Sequence, residues 1–262
     1  MATVLETRLT DASIHEMVSF YKEEGYVLTP PCVPHEICDA VKACALESAR
    51  SNGGIRTSIN SWRNIKSSAW WQLLHWMVSP SSLLSEILDN VYGDCWFFDV
   101  AGGDVVAPRA GFKCGPCLPH SDWKNVKDGI VAVSVIVHEE QHKDMAPMHL
   151  YGRTSGKLNI CTGWKGQMIL RDVDVIHHGS PNTTDKTRVL PCIRFILAQG
   201  LRHGYQPKSF VPYSLWQHDI DDRLSQKLIF TFRDDEDEDA SSPTHTRYRT
   251  PASMRMVIED LQ

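Results

Sequence analysis

From residue 95 onward the chain carries short apolar runs separated by Gly, Pro, Asn and Asp. Runs of this length, each ended by residues that favour turns, are typical of β-strands. Regularly spaced strands of this kind predict a barrel or a double-sheet jelly roll. The predicted strands are Cys95 to Val100, Asp104 to Ala107, Gly129 to His138, Gly166 to Leu170, Asp172 to Ile176 and Val189 to Ala198.

The first 93 residues have a helical pattern instead. The segment from Thr10 to Ser13 offers side chains that cap a helix, and apolar residues at helical spacing follow until Gly25. Further elements are predicted at 26–28 (strand), 34–50 (helix), 61–78 (helical segment) and 82–93 (helix). The sequence therefore predicts an α+β fold in which an N-terminal helical layer packs on a mainly β core.

The composition of the chain excludes several kinds of binding partner. A chain of 262 residues with a net charge of -5 has no block of basic residues for nucleic acid or membrane surfaces, so we expect a small-molecule partner. No apolar run is long enough to span a bilayer, and the eight cysteines are scattered, so we expect a cytoplasmic protein with mostly reduced thiols. A homodimer is compatible with this composition.

We expect one domain rather than two, because a chain of this length can bury one large core. Within it, residues 1–93 form the helical layer and 94–200 the β core. Residues 201–262 form a C-terminal extension, in which the acidic segment 234–243 is predicted to be mobile because it cannot bury enough apolar surface.

Two stretches offer metal ligands. His120 and Asp122 lie two residues apart, so on an extended strand both side chains project from one side. The chain has twelve histidines, so this triplet alone is weak, but His177 and His178 follow a predicted strand and supply a second imidazole. Two histidines and one carboxylate on one face of a cation suit Fe(II) sites that keep positions open. Neighbours on a strand face opposite ways, so only one of His177 and His178 can take part.

Arg188 follows this second stretch at the start of the last predicted strand. A guanidinium at the end of a barrel strand can bind a carboxylate through two parallel hydrogen bonds. Arg188 is therefore a candidate contact for a carboxylate ligand of the same cavity.

Together these stretches resemble the phytanoyl-CoA dioxygenase-like branch of the Fe(II)/2-oxoglutarate-dependent oxygenases. In that family the distal histidine stands five residues before an asparagine and eleven before an arginine, a spacing that selects His177 here. The other histidine, His178, then faces away from the metal. The segments that carry the resemblance are Val18–Val27, Pro119–Trp123, and His177–Asn182 with Arg188.

The resemblance implies a double-stranded β-helix, the jelly-roll or cupin-like barrel. It implies Fe(II) held by His120, Asp122 and His177, 2-oxoglutarate as cosubstrate with its far carboxylate on Arg188, and O₂ as oxidant. Such an enzyme hydroxylates, or otherwise activates, a C–H bond of a small molecule. Halogenation is disfavoured, because halogenating relatives carry a small residue in place of Asp122.

Other contacts are expected from position alone. Relatives often place a glutamine before the first histidine, but Cys117 and Leu118 stand there. Candidates for further cosubstrate contacts are Lys113, Trp123 and Ser180. The candidates for lining a substrate pocket are Trp62, Trp70 and Trp71, although helix packing explains them equally well. These rings, and the lack of a basic cluster for coenzyme A, favour an apolar or aromatic specialised metabolite.

Cys114 and Cys117 support a competing hypothesis. A Cys-x-x-Cys pair with His120 and Asp122 has the residue types of a zinc site, but it leaves His177 and Arg188 unexplained. A thioredoxin-like redox role is disfavoured, because the proline at 119 opposes the helix that this motif opens. The alternative function is thus a zinc enzyme, or a metal-stabilised β-barrel binding protein, without O₂ chemistry.

Overall fold

The computed structural model describes residues 3–4, 13–52, 56–60, 68–110, 118–123, 129–203, 227, 230–232 and 247–249. Its helices are α1 (Ile14–Glu24), α2 (His35–Asn52), α3 (Ser68–Val78), α4 (Leu83–Tyr92) and α5 (Ala198–Arg202). Its strands are β1 (Thr3–Val4), β2 (Tyr26–Leu28), β3 (Arg56–Asn60), β4 (Trp96–Val106), β5 (Ile130–Val135), β6 (Glu140–Gln141), β7 (Met148–Tyr151), β8 (Leu158–Cys161), β9 (Gly163–Trp164), β10 (Met168–Asp172), β11 (His177–Gly179), β12 (Arg188–Leu197), β13 (Phe230–Phe232) and β14 (Arg247–Arg249). No helix in these described ranges combines the length and apolarity of a membrane span.

Local capping chemistry sets the ends of the N-terminal helices. The Ser13 hydroxyl accepts a hydrogen bond from the Glu16 N–H, and the Glu16 carboxylate accepts one from the Ser13 N–H, which begins α1 with a capping box. Gly25 ends α1 in the left-handed conformation, with φ of 76°. Ser82 caps α4 by accepting a hydrogen bond from the Ser85 N–H, and Gly93 ends that helix with a positive φ of 62°. The predicted boundaries of these two helices are confirmed.

The larger sheet has six antiparallel strands in the order β2-β10-β5-β12-β4-β3. Successive side chains of each strand point to opposite faces of the sheet, so every second one faces the helical layer. Val131, Val133 and Val135 of β5 pack there against Trp70 and other apolar residues of α1 to α4 in one buried core. The intervening residues face the opposite side, where the candidate site lies.

The second sheet has four strands in the order β1-β8-β7-β11. It packs against the larger sheet through a separate apolar cluster of Tyr26, Leu28, Ile136, Leu150, Cys161, Ile169 and Val175. Two short ribbons, β6 with β9 and β13 with β14, are paired independently. Helices on one side of mainly antiparallel sheets confirm the predicted α+β class with an N-terminal helical layer.

The structure corrects two strand predictions. Residues 95–107 were expected to break into two strands at the Gly pair 102–103, but β4 is continuous because the glycine backbone keeps pairing with β12. The predicted strand Asp172 to Ile176 does not form: Asp172 ends β10, and the chain then turns, with the Asp174 N–H donating to the Asp172 carboxylate at 3.3 Å. The predicted helical residues 61–67 and the acidic segment 234–243 lie outside the described residues.

Gly103 allows β4 and β12 to approach closely beside the site. Its φ is 141°, and a Cβ added there would lie 2.3 Å from the Leu190 carbonyl oxygen. We therefore expect Gly103→Ala to lower the free energy of unfolding by about 3 kcal/mol, measured by chemical denaturation.

Gly156→Ala is the matched control for this substitution. Gly156 also has a positive φ, 62°, but nothing lies within 4 Å of the position that its Cβ would take. The expected loss there is about 1 kcal/mol, from backbone conformation alone. Equal losses for the two variants would show that the contact with β12 is not what requires glycine at 103.

Candidate metal centre

Backbone pairing brings the two predicted metal motifs together. The His120 N–H donates to the His177 carbonyl at 2.9 Å, and the His177 N–H donates to the His120 carbonyl at 2.8 Å. This isolated antiparallel bridge joins the segment 118–123 to the start of β11. Residues that exchange both backbone bonds are directly opposite, so their side chains project from the same side. The two imidazole rings accordingly have centroids 4.5 Å apart.

Three ligand atoms converge at this bridge. The Asp122 Oδ1 atom lies 3.8 Å from His120 Nε2 and 3.6 Å from His177 Nε2. All three ligand atoms lie within 4.8 Å of one another. A cation about 2.1 Å from each of three ligands at right angles requires separations of about 3 Å, so small side-chain movements would close the site.

Hydrogen bonds orient both imidazoles for a metal. His120 Nδ1 lies 3.0 Å from the Leu118 carbonyl oxygen, and His177 Nδ1 lies 3.0 Å from the Val175 carbonyl oxygen. A carbonyl oxygen can only accept, so each Nδ1 carries the proton and each Nε2 keeps its lone pair. Two imidazole nitrogens and a carboxylate oxygen form a donor set that fits a divalent transition metal.

Arg171 of β10 controls the charge of the carboxylate ligand. Its Nη2 donates to Asp122 Oδ2 at 2.6 Å, so Oδ1 remains directed at the two imidazoles. Burial opposes ionisation of Asp122, but the charge of Arg171 and the hydrogen bond that it donates outweigh burial, and they place the Asp122 pKa below its usual value. Asp122 is therefore an anionic ligand at neutral pH.

His177 is neutral under the same conditions. Burial lowers the pKa of His177 to about 4, the charge of Arg171 adds to that effect, and Asp122 opposes it. A neutral imidazole is the form that binds metal, so little proton competition is expected at His177 above about pH 5.

His178 also borders the cavity around the ligands, but its ring is turned towards β7 and not towards Asp122. Its ring packs edge-on against His149 of β7, with centroids 4.6 Å apart, and its Nδ1 bonds the Gly179 carbonyl oxygen at 3.1 Å. The structure therefore places His177, and not His178, beside Asp122 and His120. This is the register that strand alternation and the spacing to Arg188 predict.

A cavity of about 500 Å³ surrounds the three ligands. This volume lies within the range of small-molecule sites. Its lining includes charged, polar and apolar residues from both sheets: Val100, Gly102, Gly103, Asp104, His120, Asp122, Ser134, Met148, Arg171, His177, His178, Gly179, Arg188, Leu190, Cys192 and Arg194.

Arg188 is one of the residues that line this cavity. It is 2% exposed, and its Nε donates to the Ala146 carbonyl at 3.0 Å while Nη1 lies 4.0 Å from Asp104 Oδ2. Asn182 holds the preceding loop, because its Nδ2 donates to the carbonyls of Ala107 and Lys186 at 2.9 and 2.8 Å. The asparagine of the sequence motif thus positions the strand that carries the arginine.

Several candidate residues lie away from the cavity. The Ser180 hydroxyl donates to the Pro147 carbonyl at 2.8 Å, and Trp123 packs against the apolar cluster around Phe97. Trp70 is fully buried in the main core and Trp71 packs against that core, so neither ring is among the cavity's lining residues. The candidates outside the described residues are Trp62, Lys113, Cys114 and Cys117.

Two arginines of the cavity were missed by the sequence reasoning. Arg171 was placed between two predicted strands, and Arg194 within an apolar one. Arg171 is next to Asp172 at the end of β10, and Arg194 lies six residues after Arg188 in β12, so its side chain projects from the same face as Arg188. Because side chains alternate along a strand, this even spacing assigns Arg194 to the same face as Arg188 from the sequence alone.

Solved structures share this fold. The non-heme alpha ketoglutarate dependent epimerase SnoN from nogalamycin biosynthesis matches with a TM-score of 0.57 at 13% identity, over 71% of this chain and 82% of its own. The non-heme alpha ketoglutarate dependent carbocyclase SnoK, from the same biosynthesis, matches with a TM-score of 0.56 at 14% identity, over 80% and 95%. EctD from S. alaskensis, solved with 2-oxoglutarate and 5-hydroxyectoine, matches with a TM-score of 0.55 at 15% identity, over 76% and 84%.

At these identities the likeness concerns the fold. The chain shares the fold of non-heme, 2-oxoglutarate-dependent enzymes over most of its length. No protein-family model matches the sequence, and no curated protein matches it. The assignment of a reaction therefore depends on the site itself.

The pair His177 and His178 allows a matched test of the metal site. We expect His177→Ala to weaken Mn(II) or anaerobic Fe(II) binding more than about 100-fold, since loss of a ligand exceeds the effect of losing an outer contact. His178→Ala should bind metal within a few-fold of the wild type, because its ring faces His149. Metal titration followed by calorimetry measures both, and loss of metal only in His178→Ala would contradict this register.

Proposed function

We propose that this chain is a non-haem Fe(II)/2-oxoglutarate-dependent oxygenase that oxidises a C–H bond of a small molecule. The observation that carries the proposal is the convergence of His120, Asp122 and His177 in one cavity with Arg188. Two histidines and one carboxylate on one face leave positions open for a cosubstrate and O₂. A purely structural metal site has no need of open positions or of a buried arginine beside them.

The residues of the cavity have separate roles in this proposal. His120, Asp122 and His177 hold Fe(II), and Arg188 binds the far carboxylate of 2-oxoglutarate through charge-assisted hydrogen bonds. Arg171 keeps Asp122 ionised and orients its second oxygen. When bound, Fe(II) and 2-oxoglutarate supply an oxidant through reaction with O₂ and loss of CO₂.

Two finer points belong to the same proposal. The β core is a double-stranded β-helix, which the two packed sheets and the shared fold support. The chain falls in the phytanoyl-CoA dioxygenase-like branch, which the spacing from His177 to Asn182 and Arg188 supports. SnoN and SnoK act in nogalamycin biosynthesis, so we place the substrate among specialised metabolites.

Uncoupled turnover tests the reaction class without a known substrate. We expect the purified chain to form succinate from 2-oxoglutarate only when Fe(II) and O₂ are both present. His177→Ala should reduce this rate to that of buffer with Fe(II), because a facial site lacking one ligand does not hold the metal. Succinate is measured by chromatography against a matched His178→Ala preparation.

Loading the chain with zinc distinguishes the oxygenase proposal from the competing zinc hypothesis. Zn(II) fits the same three ligands but has no redox chemistry, so the zinc-loaded chain should form no succinate. A chain that binds Fe(II) and 2-oxoglutarate yet forms no succinate under O₂ would contradict the oxygenase proposal. It would favour a zinc enzyme or a metal-stabilised binding protein.

Arg188 is expected to act on the cosubstrate and not on the metal. We predict that Arg188→Gln raises the KM for 2-oxoglutarate by about tenfold or more, as loss of a charge-assisted pair requires, while Mn(II) affinity changes less than about threefold. Arg202→Gln, at an exposed arginine of α5, controls for a general loss of positive charge. Parallel loss of metal and 2-oxoglutarate affinity would show that Arg188 only supports the structure.

A further inference from the structure

Two guanidinium groups other than Arg188 line the cavity on a single cross-strand row. Arg171 of β10 and Arg194 of β12 both pair with Ala132 of β5, which lies between them. Residues on one row project from the same face, and two strand spacings separate their Cα atoms by about 10 Å. Ala132 has a small side chain, so both arginines can approach the space above it.

Arg194 offers hydrogen-bond donors to that space. Its side chain is 29% exposed and lines the cavity. Its Nε lies 3.6 Å from Oδ2 of the fully buried Asp99. In the described part of the chain its Nη1 and Nη2 make no hydrogen bond or ion pair. Asp99 therefore holds the guanidinium from one edge and leaves the terminal nitrogens for a ligand.

Arg171 adds positive charge to the same region. Its side chain is 8% exposed, and only Nη2 is bonded, to Asp122. Nε and Nη1 are enclosed and have no partner among the described residues. A metal at Asp122 would share that carboxylate's charge, so the positive charge of Arg171 would then be less compensated. An anion nearby would offset it.

The row is distinct from the arginine assigned to the cosubstrate. Arg188 and Arg194 are six residues apart on one face of β12, roughly 20 Å between Cα atoms at the rise of a strand. The Arg188 guanidinium is held at its own end by the Ala146 carbonyl and Asp104. With one carboxylate of 2-oxoglutarate on Arg188 and the other at the metal, Arg194 has no cosubstrate group to bind.

We propose that Arg194, supported by the charge of Arg171, forms a second carboxylate subsite, and that the substrate carries a carboxylate. This inference rests on the proposed function, which makes the cavity the active site. A single negative charge suits the subsite better than a phosphate dianion, because Asp99 and Asp122 lie beside the two arginines. Val100 and Leu190 of the lining offer apolar contact to the rest of the molecule.

The substrate class therefore differs from the one that the sequence favours. The tryptophans Trp70 and Trp71 lie in or against the core, and no aromatic ring other than histidine is among the cavity's described lining residues. An acidic metabolite fits three lining arginines better than an apolar or aromatic one.

A carboxylate and its uncharged amide provide the test. The full chain is loaded with Zn(II) and N-oxalylglycine, an unreactive analogue of 2-oxoglutarate, and titrated with hexanoate and hexanamide by saturation-transfer NMR. We expect hexanoate to bind about tenfold or more tightly than hexanamide, as a charge-assisted contact gives. Arg194→Gln should abolish this preference, Arg194→Lys should keep part of it, and Arg202→Gln should keep all of it.

Removal of Arg194 also takes one charged partner from the buried carboxylate of Asp99. The double variant Asp99→Asn/Arg194→Gln removes both charges together, so loss of the preference there, with native circular dichroism, excludes misfolding as the cause. The proposal is overturned if wild type shows no preference for hexanoate, or if Arg194→Gln retains it. It is also overturned if Arg194→Gln weakens N-oxalylglycine by tenfold, since the guanidinium would then serve the cosubstrate.

The same experiment distinguishes failure of the oxygenase proposal from failure of the carboxylate subsite. A chain that does not bind Zn(II) or N-oxalylglycine contradicts the oxygenase proposal. The preference for hexanoate over hexanamide, and its dependence on Arg194, is still measured in the metal-free protein.

Discussion

Two backbone hydrogen bonds between His120 and His177 hold the candidate site together. They join residues far apart in the chain and set two imidazoles side by side, with Asp122 two residues beyond one of them. Because the bonds belong to the main chain, they fix the relative position of the ligands whatever side chains are present. The carbonyls of Leu118 and Val175 then fix the orientation of the two imidazole rings, so hydrogen bonds order both the main chain and the side chains of the site.

The charge of the site is balanced by residues on the larger sheet. Arg171 offsets the burial of Asp122 and also disfavours protonation of His177, so one arginine promotes the metal-binding form of two ligands. That arginine stands where β10 faces the cavity, next to β5 and opposite the helical core. The helices thus stabilise the sheet from one side, while the other side remains available for charged groups.

The sequence predicts local features well and long-range ones less well. The ends of α1 and α4 follow from Ser13, Gly25 and the capping chemistry of Ser82, which depends on neighbours in the chain. The proximity of His120 and His177 was predicted from a resemblance and from strand alternation. Arg171 escaped prediction because its role depends on Asp122, 49 residues earlier. The tryptophans were misleading because large rings serve a core as readily as a pocket.

Strand β12 divides its residues between two tasks. Arg188, Leu190, Cys192 and Arg194 line the cavity, while Val189, Ile193, Phe195 and Leu197 pack in the helical core. Selectivity and folding therefore draw on separate, interleaved positions of one strand, and either set can vary by point substitution with little effect on the other. Insertion or deletion of one residue would exchange the two sets, so lineages of this protein should diversify at 190, 192 and 194 while preserving the length of the strand.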